Sequence, residues 1–453
     1  MVRETLRPPT PLLMPPLCGV FAIFGDKPSP MRLRLALLFL LFSLVLTAQE
    51  EGEQRPDLTD WTVNPILAFQ GWGTYTFGGE ERMGNTFEPV DDRLNFMVRR
   101  FRWGATAGVG DRLFIKFLGA LDFVGSDQRA GTVGGVNNGG FPAAQIWDLY
   151  VRYRVVPKSE VLYVVGGWLR PPLGRESMSG ALGVASFEKG WNQWYIRQHL
   201  VGTGPGGTAG VYLGGMRSLN EGLHVDYRAG VFNPEGGGLS GGRTFSPLFV
   251  SRLNLMFGDP EKQSWTYGLA AANTFGRRQG ASLAVVYSTE GPTERVARGV
   301  RHLGLDGVVS LGQFHLEGEW HGMLRRATQG EQRFRTFMLR TGVNLPLATG
   351  GATPARYLEP TVMVYGFRGG TTNAAYDVAV ATAYFAGDET VYDVGLNYHL
   401  VPGKIRLGLH YVGRSGELGE IAPGPSLAWH HFQAGVGPIV RGDYVGAELI
   451  LSL

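Results

Sequence analysis

His315, Glu317, Glu319 and His321 occupy alternate positions of "FHLEGEWHG". Imidazoles and carboxylates are the side chains that hold zinc. On a strand these four share one face, but successive members stand ~7 Å apart. They converge on an ion only if neighbouring strands add ligands, so the segment reads first as a hydrated wall. A second set reaches further. Arg100, Arg102, Lys116, Arg152, Arg154, Arg228, Arg252, Arg340 and Arg406 all lie opposite the apolar positions of alternating segments. The planar guanidinium fork matches phosphate and carboxylate oxygens, so such a set could steer anions. Asp122, Asp148, Asp226, Glu317, Glu319, Asp393 and Glu448 share that polar face. The cations could therefore pair with them and stiffen a wall instead. Arg99 and Arg100 cannot both point inward from a regular strand, and a one-residue bulge would reverse the assignment. "GRESMSG" lacks the Gly-x-Ser-x-Gly order of a nucleophile elbow, and no Ser-His-acid set or phosphate loop stands out. Neither an enzyme nor a cofactor is expected.

The elements that must carry these residues are strands. In "VYDVGLNYHLVPGKIRLGLHYVG" (Val391 to Gly413), Val394, Leu396, Tyr398 and Leu400 share one face, as do Ile405, Leu407, Leu409 and Tyr411. Asp393, Asn397, His399, Lys404, Arg406 and His410 share the other. Period 2 with a Pro-Gly break is a hairpin with one greasy and one charged side. Similar segments of about ten residues recur to the end of the chain, the length a tilted strand needs to cross a bilayer. Charged positions repeat too regularly on the polar face for a sheet packed on a dry core. Apolar residues are expected to face lipid and charged ones a wet lumen. Trp61, Trp72, Trp103, Trp147 and Trp168 fall at strand ends and suit interfacial girdles.

Early connections alternate long and short, as in outer-membrane barrels, and the strand number of a single-chain bacterial barrel is even. Sixteen segments fit, from 66–77 to 443–453, one of them being 264–275. "ASLAVVYS" (Ala281 to Ser288) and "HHFQAGVGP" (His430 to Pro438) look strand-like but are placed in extended loops, since adding one breaks the parity. Adding both gives 18. The expected fold is all-β: a transmembrane antiparallel β-barrel of 16 strands, with long extracellular loops and short periplasmic turns. The segment 171–207 could fold into the lumen and narrow it, carrying Arg175, Lys189 and Arg197 against Glu176 and Glu188. It could equally stay outside.

Composition agrees. Mean hydropathy is only −0.04 although 44% of the 453 residues are hydrophobic, which is alternation rather than long apolar runs. From Met31, "MRLRLALLFLLFSLVLTAQE" has a basic start, an apolar stretch from Leu35 to Leu46 and a small residue, Ala48, before Gln49. That stretch is shorter than the ~20 residues of a membrane helix and reads as a signal peptide over 31–48. Residues 1–30 read as a non-native upstream extension and 49–63 as a short periplasmic segment, with the barrel over 64–453. Beyond residue 48 the chain carries 42 − 5 = 37 basic and 39 − 2 = 37 acidic residues, so the formal excess of +3 belongs to residues 1–48. Nothing in this balance suggests nucleic acid. Cys18, the single cysteine, lies before the leader, leaving no disulfide or thiolate site beyond it. Of those 37 cations, 32 are Arg and 5 are Lys.

"YVVGGWLRPPLGRESMSG" (Tyr163 to Gly180) resembles the phosphate-selective porin O and P family, in which a strand ending Gly-x-x-basic runs into Pro-x-Gly-x-Glu. The matching positions are Gly166 or Gly167, Arg170, Pro172, Gly174 and Glu176. "FEKGW", "RLNFMVRRFRWGATAGVGDRLFIKFLGALDF", "LGLDGVVSLGQFHLEGEW" and "VGLNYHLVPGKIRLGLHYV" resemble further family segments in the same order. The chain departs from the pattern at Gly207, where the family often has a basic residue, and at its terminal Leu453, where an aromatic is usual. The resemblance implies a Gram-negative outer-membrane porin, a homotrimer among lipid, and passage of small anions.

The expected function is passive diffusion of small hydrophilic solutes with weak anion preference. Arg100, Arg102, Lys116, Arg152, Arg154, Arg170, Arg175, Arg228, Arg252, Arg340 and Arg406 are the candidate pore-lining residues. A structural or surface-binding barrel with a plugged lumen is the other reading; an outer-membrane enzyme comes third.

Overall fold

The computed structural model describes residues 61–453 except 85, 128, 131–143, 234–243, 294–298, 329, 349–355, 383–384, 418–431 and 434–436. The expected upstream extension and leader lie outside the described residues. Sixteen antiparallel strands form the barrel. They are β1 (Trp61–Phe77), β2 (Arg93–Val109), β3 (Leu113–Val124), β4 (Gln145–Arg154), β5 (Tyr163–Leu169), β6 (Thr208–Asn220), β7 (Leu223–Phe232) and β8 (Leu248–Gly258). Then come β9 (Gln279–Glu290), β10 (Val300–Leu311), β11 (Phe314–Arg326), β12 (Glu331–Val343), β13 (Arg356–Arg368), β14 (Asp388–Val401), β15 (Ile405–Glu417) and β16 (Asp443–Ser452). Each pairs with its successor; a short piece, Leu345–Ala348, extends β12 along β13. β1 pairs with β16 from Ala68↔Ser452 to Phe77↔Asp443, which closes the sheet and leaves no edge.

Alternation places the two faces as the hairpin pattern requires. In β14 and β15, Val394, Leu396, Leu407 and Leu409 are exposed on the outside. Asp393, Asn397, His399, Arg406 and His410 are buried inside. The outer band continues through Leu149, Val211, Leu253, Val285, Leu305, Leu339 and Val362. An apolar exterior around a polar interior is stable only where the outer solvent is hydrocarbon.

Five expectations change. The segment 264–275 is not a strand, and 281–288 belongs to β9 instead, paired with β8 from Phe249↔Thr289 to Gly258↔Gly280. Trp72 points inward and is buried, rather than joining a girdle. Trp147 also turns in, because the β3–β4 register slips between Leu118 and Gly119 and leaves it as the extra residue. Arg99 and Arg100 are both buried inside. Between β1 and β2 the register runs Gln70↔Arg100 and then Gly71↔Val98, so Arg99 is the unpaired residue of a bulge. β1 also starts at Trp61, inside the stretch expected to precede the barrel. The described residues of the segment 430–438 stay outside the wall: Phe432–Gln433 and Gly437–Val440 form a small separate sheet with Glu80–Met83 and Thr86–Pro89.

Strand direction gives every connection a side. From Trp61, odd-numbered strands run from the short-turn end to the long-loop end. Residues 170–207, between β5 and β6, therefore leave from the long-loop end. Residues 259–278, between β8 and β9, leave from the end where a tight turn was expected. Both fold into the barrel.

Candidate functional site: a basic cavity beside two inward segments

The first inward segment carries helices α1 (Arg175–Met178) and α2 (Asn192–Val201). Its entry needs Gly174, at φ 156°: a Cβ there would sit 2.7 Å from the His321 ring and 3.0 Å from Glu319 Oε2. The missing side chain lets the backbone lie against the wall. The Glu176 N–H then donates to Glu319 Oε2 at 2.9 Å. The Glu176 carboxylate accepts from Arg340 and, at 2.6 Å, from the Gly190 N–H. Further along, the Phe187 N–H donates to Asp393 Oδ2 at 2.8 Å and Asn397 donates to Ala185 O at 2.6 Å. The Phe187 ring stacks on Trp72 with centroids 4.3 Å apart. Glu188 accepts from Arg100 and pairs with Arg99 at 2.6 Å. Burial alone would raise the Glu188 carboxyl, but Arg100 and Arg99 outweigh it and hold the group below the usual carboxylate range.

The second segment enters from the other end. The Trp265 N–H donates to Glu160 Oε2 at 2.6 Å, and its ring stacks on Tyr163 at 4.8 Å. Asn273 donates to Glu359 Oε1 at 2.7 Å. The two segments meet inside the barrel. Arg175 pairs with Glu261 at 2.5 Å. The Leu269 N–H reaches Met178 O at 3.4 Å, and Tyr267 Oη accepts from the Arg170 N–H at 2.7 Å while donating to Arg170 O at 2.9 Å.

What they leave is a cavity of about 260 Å³ against β1–β4. It is lined by seven cations, Arg99, Arg100, Arg102, Lys116, Arg170, Lys189 and Arg197. Only three carboxylates face them: Asp122, Asp148 and Glu188. Asp148 serves both Lys116, at 2.9 Å, and Arg170, at 3.2 Å. Asp122 serves Arg102, and Glu188 serves Arg99 and Arg100. Lys189 and Arg197 hydrogen-bond oxygens of their own segment: Lys189 the carbonyls of Glu176 and Ser179, Arg197 the hydroxyl and carbonyl of Ser177. The excess of cations over carboxylates is the site's main electrostatic feature. Arg102 also lies over Trp147 at 4.5 Å, which keeps the guanidinium plane aligned.

Four of the eleven candidate residues line this cavity: Arg100, Arg102, Lys116 and Arg170. The others fasten the wall or the inward segments. Arg152 donates to Trp265 O at 2.9 Å. Arg154 pairs with Glu160 at 2.9 Å near the short-turn rim. Arg175 holds Glu261; Arg228 pairs with Asp226 at 2.9 Å and Arg252 with Asp306 at 2.6 Å. Arg340 bridges Glu176 and Glu317, and Arg406 pairs with Glu448 at 2.7 Å. The alternating His/Glu set does not converge on one point: His315 joins Glu359, Glu317 joins Arg340, Glu319 holds the first segment, and His321 meets His302 at 3.0 Å and Glu319 at 3.3 Å. Sequence reasoning missed Arg99, because a bulge is invisible to a period-2 count. It also missed the whole 259–278 segment, whose Trp265 and Tyr267 mimic a strand's alternation.

No protein-family model matches the chain, and no curated protein does either. Solved structures do. OmpF of Salmonella typhi, determined in complex with daunomycin, aligns with a TM-score of 0.50 at 10% identity, over 86% of this chain and 97% of that one. The fold is the porin barrel. The outer membrane channel DcaP of Acinetobacter baumannii aligns at TM-score 0.49 and 12% identity, over 87% and 98%. An anion-selective porin from Comamonas acidovorans aligns at 0.48 and 10%, over 87% and 100%. At such identities the likeness concerns fold alone.

Proposed function

We propose that this chain is an outer-membrane channel that lets small hydrophilic solutes diffuse passively, with a weak preference for anions. The observation that carries the reading is the cavity in which seven cations face three carboxylates, inside a barrel whose exterior is apolar. A charged ring at a narrow point raises the local concentration of the opposite ion. The preference is weak because most of these cations already have a carboxylate beside them, and charges exposed to salt water are screened beyond ~8 Å. A phosphate would find guanidinium forks here, but so would any small carboxylate. A homotrimer remains part of the proposal on the family resemblance alone.

A second reading has its own support. The two inward segments touch at Met178 and Leu269 and narrow the lumen from both ends. A barrel so filled could serve as a structural or surface-binding platform. Planar-bilayer recording separates the two. A channel gives stepwise conductance and, in a salt gradient, a reversal potential of anionic sign that shrinks as salt rises. A folded, heat-modifiable barrel that stays silent supports the platform; a cation-selective potential at low salt overturns the anion preference.

A further inference from the structure

The outward face is apolar over most of the barrel, yet at the long-loop end of β10–β12 it carries arginines. Arg301, Arg333 and Arg335 are exposed, while their neighbours Val300, His302, Gln332 and Phe334 are buried. They therefore share the outer face with Leu303 and Leu305. Register lines them up: Arg301 is opposite Leu324, and Leu324 is opposite Arg333. One row further in, Leu303 is opposite Gly322, and Gly322 is opposite Arg335. Strands are ~4.8 Å apart, so Arg301 and Arg333 stand roughly 10 Å apart across β11.

Charge is not balanced there. Glu331 pairs with Arg326 at 3.0 Å and only loosely with Arg333, at 3.8 Å. Arg301 and Arg335 meet no carboxylate among the described residues. Beneath the arginines lies a shallow groove of about 390 Å³, bounded by Tyr287, Leu303, Trp320 and Leu324. Gly322 keeps its floor open, and the Trp320 ring lies beside it, 2.9 Å from where a Cβ would be. The seam side of the same rim is built differently. There Tyr75 and Tyr411 donate to Asp92 and Asp443, at 2.8 and 2.6 Å.

From this juxtaposition we infer that the β10–β12 rim binds a phosphorylated, acylated lipid of the surrounding leaflet. Its phosphate oxygens meet the forks of Arg301, Arg333 and Arg335, and one acyl chain lies in the groove under Trp320. Arginine is the residue whose planar donors match phosphate bidentately. A surface cation attracts an anionic headgroup even without a fitted site. Three on one rim, over a groove bounded by Leu303, Trp320 and Leu324, add geometry to that attraction. Inorganic phosphate satisfies the arginines but not the groove.

The inference rests on the membrane reading above, and the experiment separates the two. The barrel and its R301Q/R333Q/R335Q variant are inserted into phosphatidylcholine vesicles doped with diphosphoryl lipid A or with its dephosphorylated form. Lipids retained after gentle detergent extraction are counted by native mass spectrometry. The expected result is retention of the phosphorylated lipid over phosphatidylcholine and over the dephosphorylated form, roughly tenfold or more weaker in the variant. Excess inorganic phosphate does not displace it, and conductance is unchanged because the substitutions face outward. Equal retention of both lipid forms, or equal retention by the variant, overturns the site. So does a variant whose only change is loss of an oligomer, which would make the patch a contact between copies. Failure of the parent barrel to insert overturns the membrane reading and this site together.

Discussion

Individual residues carry the selectivity argument. Arg102 and Arg99 reach the cavity by different routes, one by ordinary alternation and one through a bulge. Replacing Arg102 by Ala should lower anion preference in reversal-potential measurements while leaving the barrel folded, because Asp122 retains Arg99 nearby at 3.9 Å. Glu188→Gln should behave differently. It strips the carboxylate from Arg99 and Arg100 together, and removing one partner of a buried ion pair costs about 3–5 kcal/mol. Thermal unfolding followed by heat-modifiability should show a clear drop. Lys189 supplies the pH dependence. Burial pushes its ammonium down to about 7, against the opposing pull of Glu176. A base with a depressed folded pKa is neutral in the barrel above about 7 but still charged in the unfolded chain. Stability should therefore rise with pH above that point, since the unfolded state binds the extra proton. Anion preference should fall as pH rises through the same value, and Lys189→Met should remove the step. A pH-independent reversal potential in the parent protein would refute this.

At the scale of elements, β9 is the sharpest test. Its outward Val285 lies between Leu253 and Leu305 in the register and is exposed. An arginine at the middle of a lipid-facing strand costs about 2–4 kcal/mol, so Val285→Arg should impair folding into vesicles by that amount. In an extended loop the same change would be nearly neutral. Most strands were legible because alternation of charge with large apolar residues persists over ten residues and recurs in strand after strand. β9 was harder. "ASLAVVYS" carries Ser282 and Ser288 on its inner face, with Ala284 and Val286 between them, so its two faces scarcely differ in polarity. The segment 264–275, with Trp265, Tyr267 and Leu269, alternates better than a true strand. Trp265 and Tyr267 are buried inside the barrel against Tyr163, Tyr150 and Tyr212, a tertiary environment that local periodicity does not encode. Of the cavity, the four candidates on regular strands or at a strand end were readable. The pairing of Arg175, Arg252, Arg340 and Arg406 with carboxylates of other elements was not.

For the molecule as a whole, the contact between the inward segments governs how open the lumen is. Arg175 and Glu261 join a segment from one end to a segment from the other. Replacing both together, R175M/E261M, avoids leaving a lone buried charge. If the segments limit the current, this variant should show larger and noisier single-channel steps than the parent. Unchanged steps would mean that current already bypasses the contact, through the basic cavity.

Phe187 sits where the cylinder is joined. Its ring lies between Trp72 on the first strand and Tyr444 on the last, and a Cβ at Gly446 would come within 2.4 Å of it. Its own N–H is tied to Asp393, and the next residue to Arg99 and Arg100. In time order, this rivet is synthesised long before the strand it clamps. The last strand should therefore reach its final packing on the first only once the 170–207 segment is in place. Assembly thus acquires a checkpoint: a chain whose interior is unfinished presents an empty socket at the seam, and the cylinder that closes around it is loose where its two ends meet.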